Sequence, residues 1–441
     1  MMKHLIALLA IVVAFVLAPF AWDWRAPFLV DMRPQMLMGL IGLPLILMFL
    51  QAWVLRTVRT EQRLLKVLAA AGMLAAALVL TTTLALEARF HWMRYQVLHA
   101  DPSRLERLGR HFIVGYRDIA EVRELVKLRA IAGIFISAHN VGGKSAAEVR
   151  QEIQSFQKER REQGLPRLWI ATDQEGGIVS RLSPPLTPMP ALSEIVQSHS
   201  DVAAREEAVR KLARIQAREL ADIGVNLNFA PVVDVNHQVV NPNDLLTRIY
   251  RRAISSDPAV VTQVANWYCS TLEEAGVRCT LKHFPGLGRV FEDTHREHAN
   301  LSAPITELTD TDWIPFRVLM RESRAFTMLG HVRLTEVDPE RPVSASPSVV
   351  AGMIRGDWKH DGVLITDNFS MIAVYRSAAG IEKASIDALN AGVDLLLISY
   401  DPDQYYRVMY ALLKADEQNK LNKEVLRRSD ERLVRAIQEI P

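Results

Sequence analysis

Apolar and polar positions divide the chain into two regimes. In the first part, three apolar stretches, Leu5 to Trp22, Met36 to Leu55 and Leu64 to Leu86, run almost without charge. Each is about long enough to cross a hydrocarbon core of ~30 Å at ~1.5 Å per residue. Three transmembrane helices are therefore expected over residues 1–90. The first stretch has an alternative reading as a signal peptide behind Lys3 and His4, but Pro19 and Phe20 make a poor small-residue cleavage site. From His91 onward, short apolar runs alternate with amphipathic segments. The runs predict strands at Phe112 to Tyr116, Gly133 to Ser137, Leu168 to Thr172, Leu227 to Pro231, Cys279 to His283, Phe326 to His331, Val363 to Asp367 and Asp394 to Ser399. Helical periodicity separates most of them, at Ala146 to Glu162, Val202 to Ile223, Ala259 to Ala275, Thr311 to Arg324, Ser348 to Trp358 and Ile381 to Ala391. Two more helices, Asp403 to Asn419 and Asn422 to Ile440, follow the last strand.

Local signals agree with these boundaries. Asp257-Pro258 and Ser346-Pro347 are helix starts, a capping side chain followed by proline. Gly224, Gly276 and Gly392 each stand between a helix and a strand, as C-cap glycines do. Strands alternating with helices make an α/β fold, and eight of them predict a (β/α)8 TIM-type barrel over residues 91–441. Pattern alone also admits an open doubly wound sheet. The polar residues favour the barrel, because Asp173, Asp234, Lys282 with His283, His331 and Asp367 all close apolar strands. Side chains at the ends of so many strands converge on one mouth only if the strands form a ring.

Charge refines the picture in two places. The formal net charge is +2 with both signs interleaved, which argues against a nucleic-acid partner. Between the second and third apolar stretches lie Arg56, Arg59, Arg63 and Lys66 with only Glu61 opposing, whereas Asp23 to Gln35 carries two arginines and two aspartates. The positive-inside rule puts the basic loop and the N-terminus in the cytoplasm and everything after about Arg89 across the membrane. In a Gram-negative cell that is an inner-membrane protein whose larger domain lies in the periplasm. The two cysteines, Cys269 and Cys279, give no disulfide framework and no metal pattern, and leave the redox compartment open.

The densest chemistry lies in Lys282 to His295, K-H-F-P-G-L-G-R-V-F-E-D-T-H. A strand ending in a Gly-Pro-broken loop rich in titratable groups is where an α/β enzyme keeps its site. Asp293 stands two residues from His295, so a carboxylate can orient an imidazole for general acid work. Surface loop charge would look similar, since Arg289, Glu292, Arg296, Glu297 and His298 crowd there. Asp173, beside Gly176-Gly177, and Arg181 could hold a polyhydroxy ligand, although a structural turn reads the same way. Asp367 follows an apolar strand, where a lone carboxylate could equally be an N-cap or ion-pair partner. The histidines His283, His295, His298 and His331 raise a metal site as a competitor, but their spacing fits no compact zinc pattern. No P-loop is present, and Gly286-Leu287-Gly288 lacks the third glycine of a dinucleotide fingerprint, so no metal and no cofactor are expected.

Lys282 to His295 resembles the signature of the β-N-acetylhexosaminidase branch of glycoside hydrolase family 3, K-H-[FI]-P-G-[HL]-G, four residues, then D-[ST]-H. The resemblance spans roughly Leu108 to Val434. Asp173 to Arg181 resembles the family's D-Q-E-G-G-x-V-x-R, Leu220 to Asp234 its N-F-A-P-V-x-D segment, Arg252 to Pro258 its R-S-F-x-x-D-P, and Thr366 to Met371 its S-D-D-L-S-M. The resemblance implies that Asp367 is the nucleophile and His295 the general acid/base, polarised by Asp293. It also implies sugar contacts from Asp173, Arg181, Arg252, Lys282, His283 and His331. Asn368 stands where the family has an aspartate and Ile178 where it has an arginine, and the apolar N-terminal helices are foreign to its well-known cytoplasmic members. The implied activity is a retaining exo-β-N-acetylglucosaminidase acting on cell-envelope glycans with terminal β-linked N-acetylglucosamine. Phosphorolysis or β-glucoside cleavage at the same site, and a non-catalytic glycan-binding component of an envelope polysaccharide system, remain alternatives. Protein partners are not specified.

Overall fold

The computed structural model describes residues Met2 to Glu439, and these fall into two compact units that meet in sequence at Gln96 and Val97. The first unit holds α1 (Met2–Asp23), a 3₁₀ turn at Pro27–Met32, α2 (Arg33–Thr57) and α3 (Arg63–Leu98). All three helices are long and apolar enough to cross a membrane. Their buried faces carry small residues, Ala7, Ala10, Ala14, Ala21, Ala69 and Ala76, while Phe15 and Phe49 are 81% and 74% exposed. Leu40, Leu47, Val54 and Leu65 are buried beside these alanines, so the helices pack through a mixture of small and large apolar side chains while further large apolar ones face outward. The third helix runs beyond the expected end at Leu86 to Leu98. The extension is held by polar contacts: Arg25 Nε donates to Glu87 Oε2 at 3.0 Å, and the Arg25 guanidinium lies 3.5 Å from the Phe90 ring centroid.

The second unit is built on eight parallel strands: β1 (Phe112–Gly115), β2 (Gly133–Phe135), β3 (Trp169–Thr172), β4 (Leu227–Asn228), β5 (Thr280–Phe284), β6 (Phe326–Leu329), β7 (Leu364–Asn368) and β8 (Leu395–Ile398). Each lies within a predicted run or within one residue of its end. Their order in the sheet follows the chain, with β1 beside both β2 and β8. Bridges from Leu227 to Arg278 and from Val232 to Lys282 join the β4 and β5 edges. The sheet thus curls into a nearly closed barrel, which decides between the ring and the open sheet. Because every strand runs the same way, all C-terminal ends open on one face.

The barrel interior is filled by Ile113, Phe135, Trp169, Phe229, Phe326, Met328, Ile365 and Leu397, all buried in one cluster. Trp169 meets Phe326 edge-on at 4.9 Å between ring centroids. The last helix, Lys423–Gln438, adds Leu433 and Ile437 to the same cluster. The expected end of that helix at Ile440 lies outside the described residues. The helix is also tied by charge: Asp394, fully buried, accepts from Arg432 Nε at 2.9 Å, Arg355 Nη2 at 2.7 Å and the Leu364 backbone at 2.8 Å.

Caps form where the sequence predicts them. Asp257 accepts from Ala259 N at 2.8 Å, and Gly224 and Gly392 have φ of +95° and +104°. The helix after Ser346-Pro347 exists at Ser348–Asp357 but is wound as a π-helix, with Ser346 Oγ accepting from Val349 N at 3.2 Å. Cys269, in the helix Pro258–Glu274, and Cys279, just before β5, are bonded to each other as a disulfide with Cα atoms 5.6 Å apart. This corrects the sequence reading, in which Cys269 and Cys279 made no disulfide framework: ten residues apart in sequence, they are brought together by the helix end and the strand start.

Replacing Asp394 by Asn removes the buried anion that Arg355 and Arg432 share, leaving Arg432 only the exposed Asp361 at 3.2 Å, and breaking a buried pair from one side costs about 3–5 kcal/mol. Asp394→Asn is expected to lower the urea midpoint of barrel unfolding by a corresponding amount. A midpoint equal to the parent chain's would show that the pairs contribute nothing.

Candidate active site

The site forms where β3, β5 and β7 end. Consecutive strand residues normally face opposite sides of a sheet, yet Lys282 and His283 both enter the site. A register shift in the β5–β6 pairing between Leu281 and Phe284 releases the alternation. The loop beyond is anchored rather than loose. Trp313 Nε1 donates to Pro285 O at 3.0 Å, and Arg289 donates to Asp312 at 2.8 Å and to Glu307 at 2.6 Å. Gly286 sits at φ +104°, and a Cβ at Gly288 would collide with the Val235 carbonyl. The two glycines of the P-G-L-G break are therefore required by the backbone path.

Four charged groups meet at the strand ends. Lys282 Nζ, buried, lies 2.7 Å from Asp173 Oδ1 and 2.6 Å from Glu175 Oε1. Glu175 also receives Arg252 Nη2 at 2.6 Å and Nε at 3.0 Å, a two-pronged pair with good geometry. Burial alone would raise the Glu175 carboxyl, but Arg252 and Lys282 hold it at about 2. Burial alone would lower the Arg252 guanidinium, and Glu175 reverses that as well. Beside this cluster His283 Nδ1 lies 2.8 Å from Asp234 Oδ2, whose carboxylate also accepts from the His283 and Leu287 backbones at 3.1 and 2.7 Å.

The second half lies on the loop. His295 Nδ1 is 3.5 Å from Asp293 Oδ1 but 3.1 Å from Thr247 Oγ1, and Thr247 donates onward to Asp293 Oδ1 at 3.0 Å. Thr247 thus links the imidazole to the carboxylate more closely than the two meet directly. Burial would raise the Asp293 carboxyl, but hydrogen bonds from His295 and Thr247 keep it at about 2. Asp367, at the end of β7, is partly open to the mouth. Burial pushes its carboxyl up, while His283, His295, His331 and the Asn368 N–H at 2.7 Å pull it below the ordinary value. The Ile372 N–H, just past β7, donates to His295 O at 2.9 Å and fastens the imidazole loop beside the Asp367 segment. His331 is buried with Nδ1 2.8 Å from Ser344 Oγ, and burial lowers its pKa against the pull of Asp367.

The structure therefore gathers Asp173, Arg252, Lys282, His283, Asp293, His295, His331 and Asp367 at one mouth. Arg181 is exposed on the same hairpin as Asp173, joined to it through its backbone N–H, and its guanidinium takes no part in the charge cluster. Asn368 turns its side-chain oxygen to the Ser370 and Ser399 backbones, both at 3.0 Å, so its amide braces the turn after β7. Glu175, Thr247 and Asp234 are site residues that were not assigned from sequence. Glu175 and Asp234 were visible inside quoted motifs; Thr247 had no signal. Among the described residues, no group of three or more His, Cys, Asp or Glu side chains is placed to hold a metal ion. The arrangement can do acid–base and nucleophilic chemistry: an ionised carboxylate at a strand end faces an imidazole backed by a second ionised carboxylate.

Comparison with known proteins identifies the family and the fold. A model of the glycosyl hydrolase family 3 N-terminal domain matches residues 103–436. The β-hexosaminidase LpqI of Mycobacterium tuberculosis is 31% identical over 303 residues, covering 67% of this chain and 73% of that protein. A β-hexosaminidase of Xanthomonas oryzae pv. oryzae is 32% identical over 291 residues, covering 65% and 82%. Among solved structures, a family 3 β-N-acetylglucosaminidase from Paenibacillus superposes with a TM-score of 0.69 at 28% identity, covering 76% of this chain and 62% of that one. The M. tuberculosis LpqI structure gives 0.65 at 28% identity, covering 78% and 97%.

Glu175 offers a direct test of the charge cluster. Its folded value of about 2 lies below the ~4.3 of an unfolded glutamate, so its stabilisation is complete above about pH 4.3 and is lost as pH falls toward 2. Glu175→Gln is expected to cost about 3–5 kcal/mol at neutral pH, because Arg252 loses its carboxylate partner and Lys282 keeps only Asp173, and to flatten the fall in stability between pH 4 and 2. Thermal melts of parent and variant across that range check both effects.

Proposed function

This chain belongs to glycosyl hydrolase family 3 and is a glycoside hydrolase, and from that membership we propose that it is a membrane-anchored, retaining exo-β-N-acetylglucosaminidase of the cell envelope. Residues up to about Gln96 serve as the membrane region and the remainder as the catalytic domain. The observation that carries the reading is the pairing of Asp367 with the Asp293–Thr247–His295 chain across the Ile372–His295 backbone bond. The names of the β-hexosaminidase relatives support an N-acetylhexosamine in the sugar pocket.

In the proposed mechanism, Asp367 attacks the anomeric carbon with an oxygen lone pair as the C1–O bond to the leaving group breaks. His295 gives its proton to the departing oxygen. Water then adds to the glycosyl-enzyme, losing a proton to His295 and releasing Asp367 as a carboxylate. The depressed Asp367 carboxyl suits the first step, since only the ionised form is nucleophilic. Asp293 remains an anion at any working pH and steadies the imidazole through Thr247. Asp173, Lys282, Arg252 and His283 sit where hydroxyl groups of the sugar need paired donors and acceptors. His331, its pKa lowered by burial, lies against the Asp367–Asn368 backbone and would line the same pocket.

Two features support a location outside the cytoplasm. The basic loop from Arg56 to Lys66 orients the helices, and the Cys269–Cys279 disulfide persists in an oxidising compartment.

Asp367→Ala is expected to lower release of 4-nitrophenol from its β-N-acetylglucosaminide by a factor of about 10⁴ or more, with the melting temperature retained. Unchanged activity would remove the nucleophile assignment, and a sugar 1-phosphate formed when phosphate is added would identify a phosphorylase. A C-terminal alkaline phosphatase fusion is expected to be active in cells. An inactive phosphatase alongside a fluorescent cytoplasmic reporter at the same position would invert the orientation.

A further inference from the structure

Four large apolar side chains beside the acid/base pair have no role in the mechanism above. Val240, Leu245 and Leu246 lie on the segment between β4 and the Ile249–Arg252 turn, and Phe291 stands two residues before Asp293. They are 52 to 56% exposed. The two segments are stitched together. The Leu245 N–H reaches Asp293 Oδ2 at 3.3 Å, and Asn241 Nδ2 donates to Phe291 O at 2.8 Å. The four side chains therefore belong to one rim around the support of His295, and a clustered exposed apolar surface marks a binding surface.

Their position decides which part of a substrate they meet. Asp173, Lys282, Arg252 and His283, assigned to the sugar in the reading above, are polar or charged and sit deep, at the strand ends. His295 must reach the glycosidic oxygen, so whatever flanks its support on the outer side meets the leaving group and not the ring. The strand ends are thus polar, and the rim beside the support of His295 is apolar. The same chain carries three helices long and apolar enough to cross a membrane, which would hold the site near hydrocarbon-bearing molecules.

We propose that the rim of Val240, Leu245, Leu246 and Phe291 is a leaving-group subsite for a hydrocarbon chain, so that the substrate is a glycolipid with a terminal β-linked N-acetylglucosamine. The inference rests on the glycosidase reading above. Its chemistry is that of hydrolysis: the C1–O bond breaks, the lipid oxygen leaves with the proton from His295 as an alcohol, and water supplies the hydroxyl of the released sugar.

The test uses the full-length enzyme in nanodiscs with methyl and octyl β-N-acetylglucosaminides, both below micellar concentration. The parent enzyme should show an octyl to methyl ratio of kcat/KM of about tenfold or more, the gain expected when a few methylene groups leave water. In Leu246→Ser/Phe291→Ser the ratio should fall toward one, and in Leu246→Met/Phe291→Leu it should be retained. Should the double serine variant fail to fold, each single serine change should lower the ratio part of the way. A parent ratio near one overturns the proposal. So does a ratio that survives the serine changes, the result expected if the rim only rests on a bilayer. Absence of turnover on both glycosides by the parent enzyme would instead remove the glycosidase reading, and the inference with it.

Discussion

Two cations buried at the mouth of a barrel are tolerable only if anions are held against them. Lys282 and Arg252 share Glu175, and Lys282 also takes Asp173, at distances of 2.6 to 3.0 Å. Removing any one partner leaves an uncompensated charge in a poorly solvated place. The requirement fixes the relative positions of β3, β5 and the Ile249–Arg252 turn. Arg252 Nη1 also donates to the Thr247 carbonyl at 2.8 Å. That places the Thr247 hydroxyl where it can join His295 to Asp293. One electrostatic constraint thus runs from the buried charge cluster at the strand ends to the His295–Thr247–Asp293 chain.

The loop from Lys282 to His295 divides accordingly. Lys282 and His283 belong to the strand and are held by buried carboxylates. Asp293 and His295 belong to a loop that is pinned by Arg289 on one side and by the Ile372–His295 bond on the other. Pro285, Gly286 and Gly288 carry the chain sharply between the two. In the proposed mechanism, rigid contacts would suit the sugar, and a separately supported imidazole would suit a proton that moves to and from different oxygens in the two steps.

Much of this was legible because the barrel strands are short apolar runs ended by polar residues, and their pairing partners are sequence neighbours. Type and spacing made Asp293, His295 and Asp367 candidates only, and it was the resemblance to the family signature that singled them out. Other features leave no such trace. The winding of Ser348–Asp357 as a π-helix is a matter of backbone hydrogen-bond register, which no side chain there announces. Thr247 is one hydroxyl in a coil of mixed residues, and only the fold brings it between Asp293 and His295. Glu175 reads as the middle of a turn motif until Arg252, distant in sequence, closes on it. Cys269 and Cys279 pair because a helix end and a strand start lie side by side, a distance that composition does not contain. The continuation of α3 past Leu86 escapes a hydropathy reading because its last turns are polar but still helical.

The central claim is that Asp367 forms the covalent bond to the sugar. It can be tested by incubating the full-length enzyme with a fluorinated N-acetylglucosaminyl fluoride that slows breakdown of the intermediate, followed by peptide mapping by mass spectrometry. The account predicts one added sugar on the peptide containing Asp367, lost on prolonged incubation as activity returns. A sugar attached to Asp173 or Glu175, or steady turnover with no labelled peptide, would contradict it.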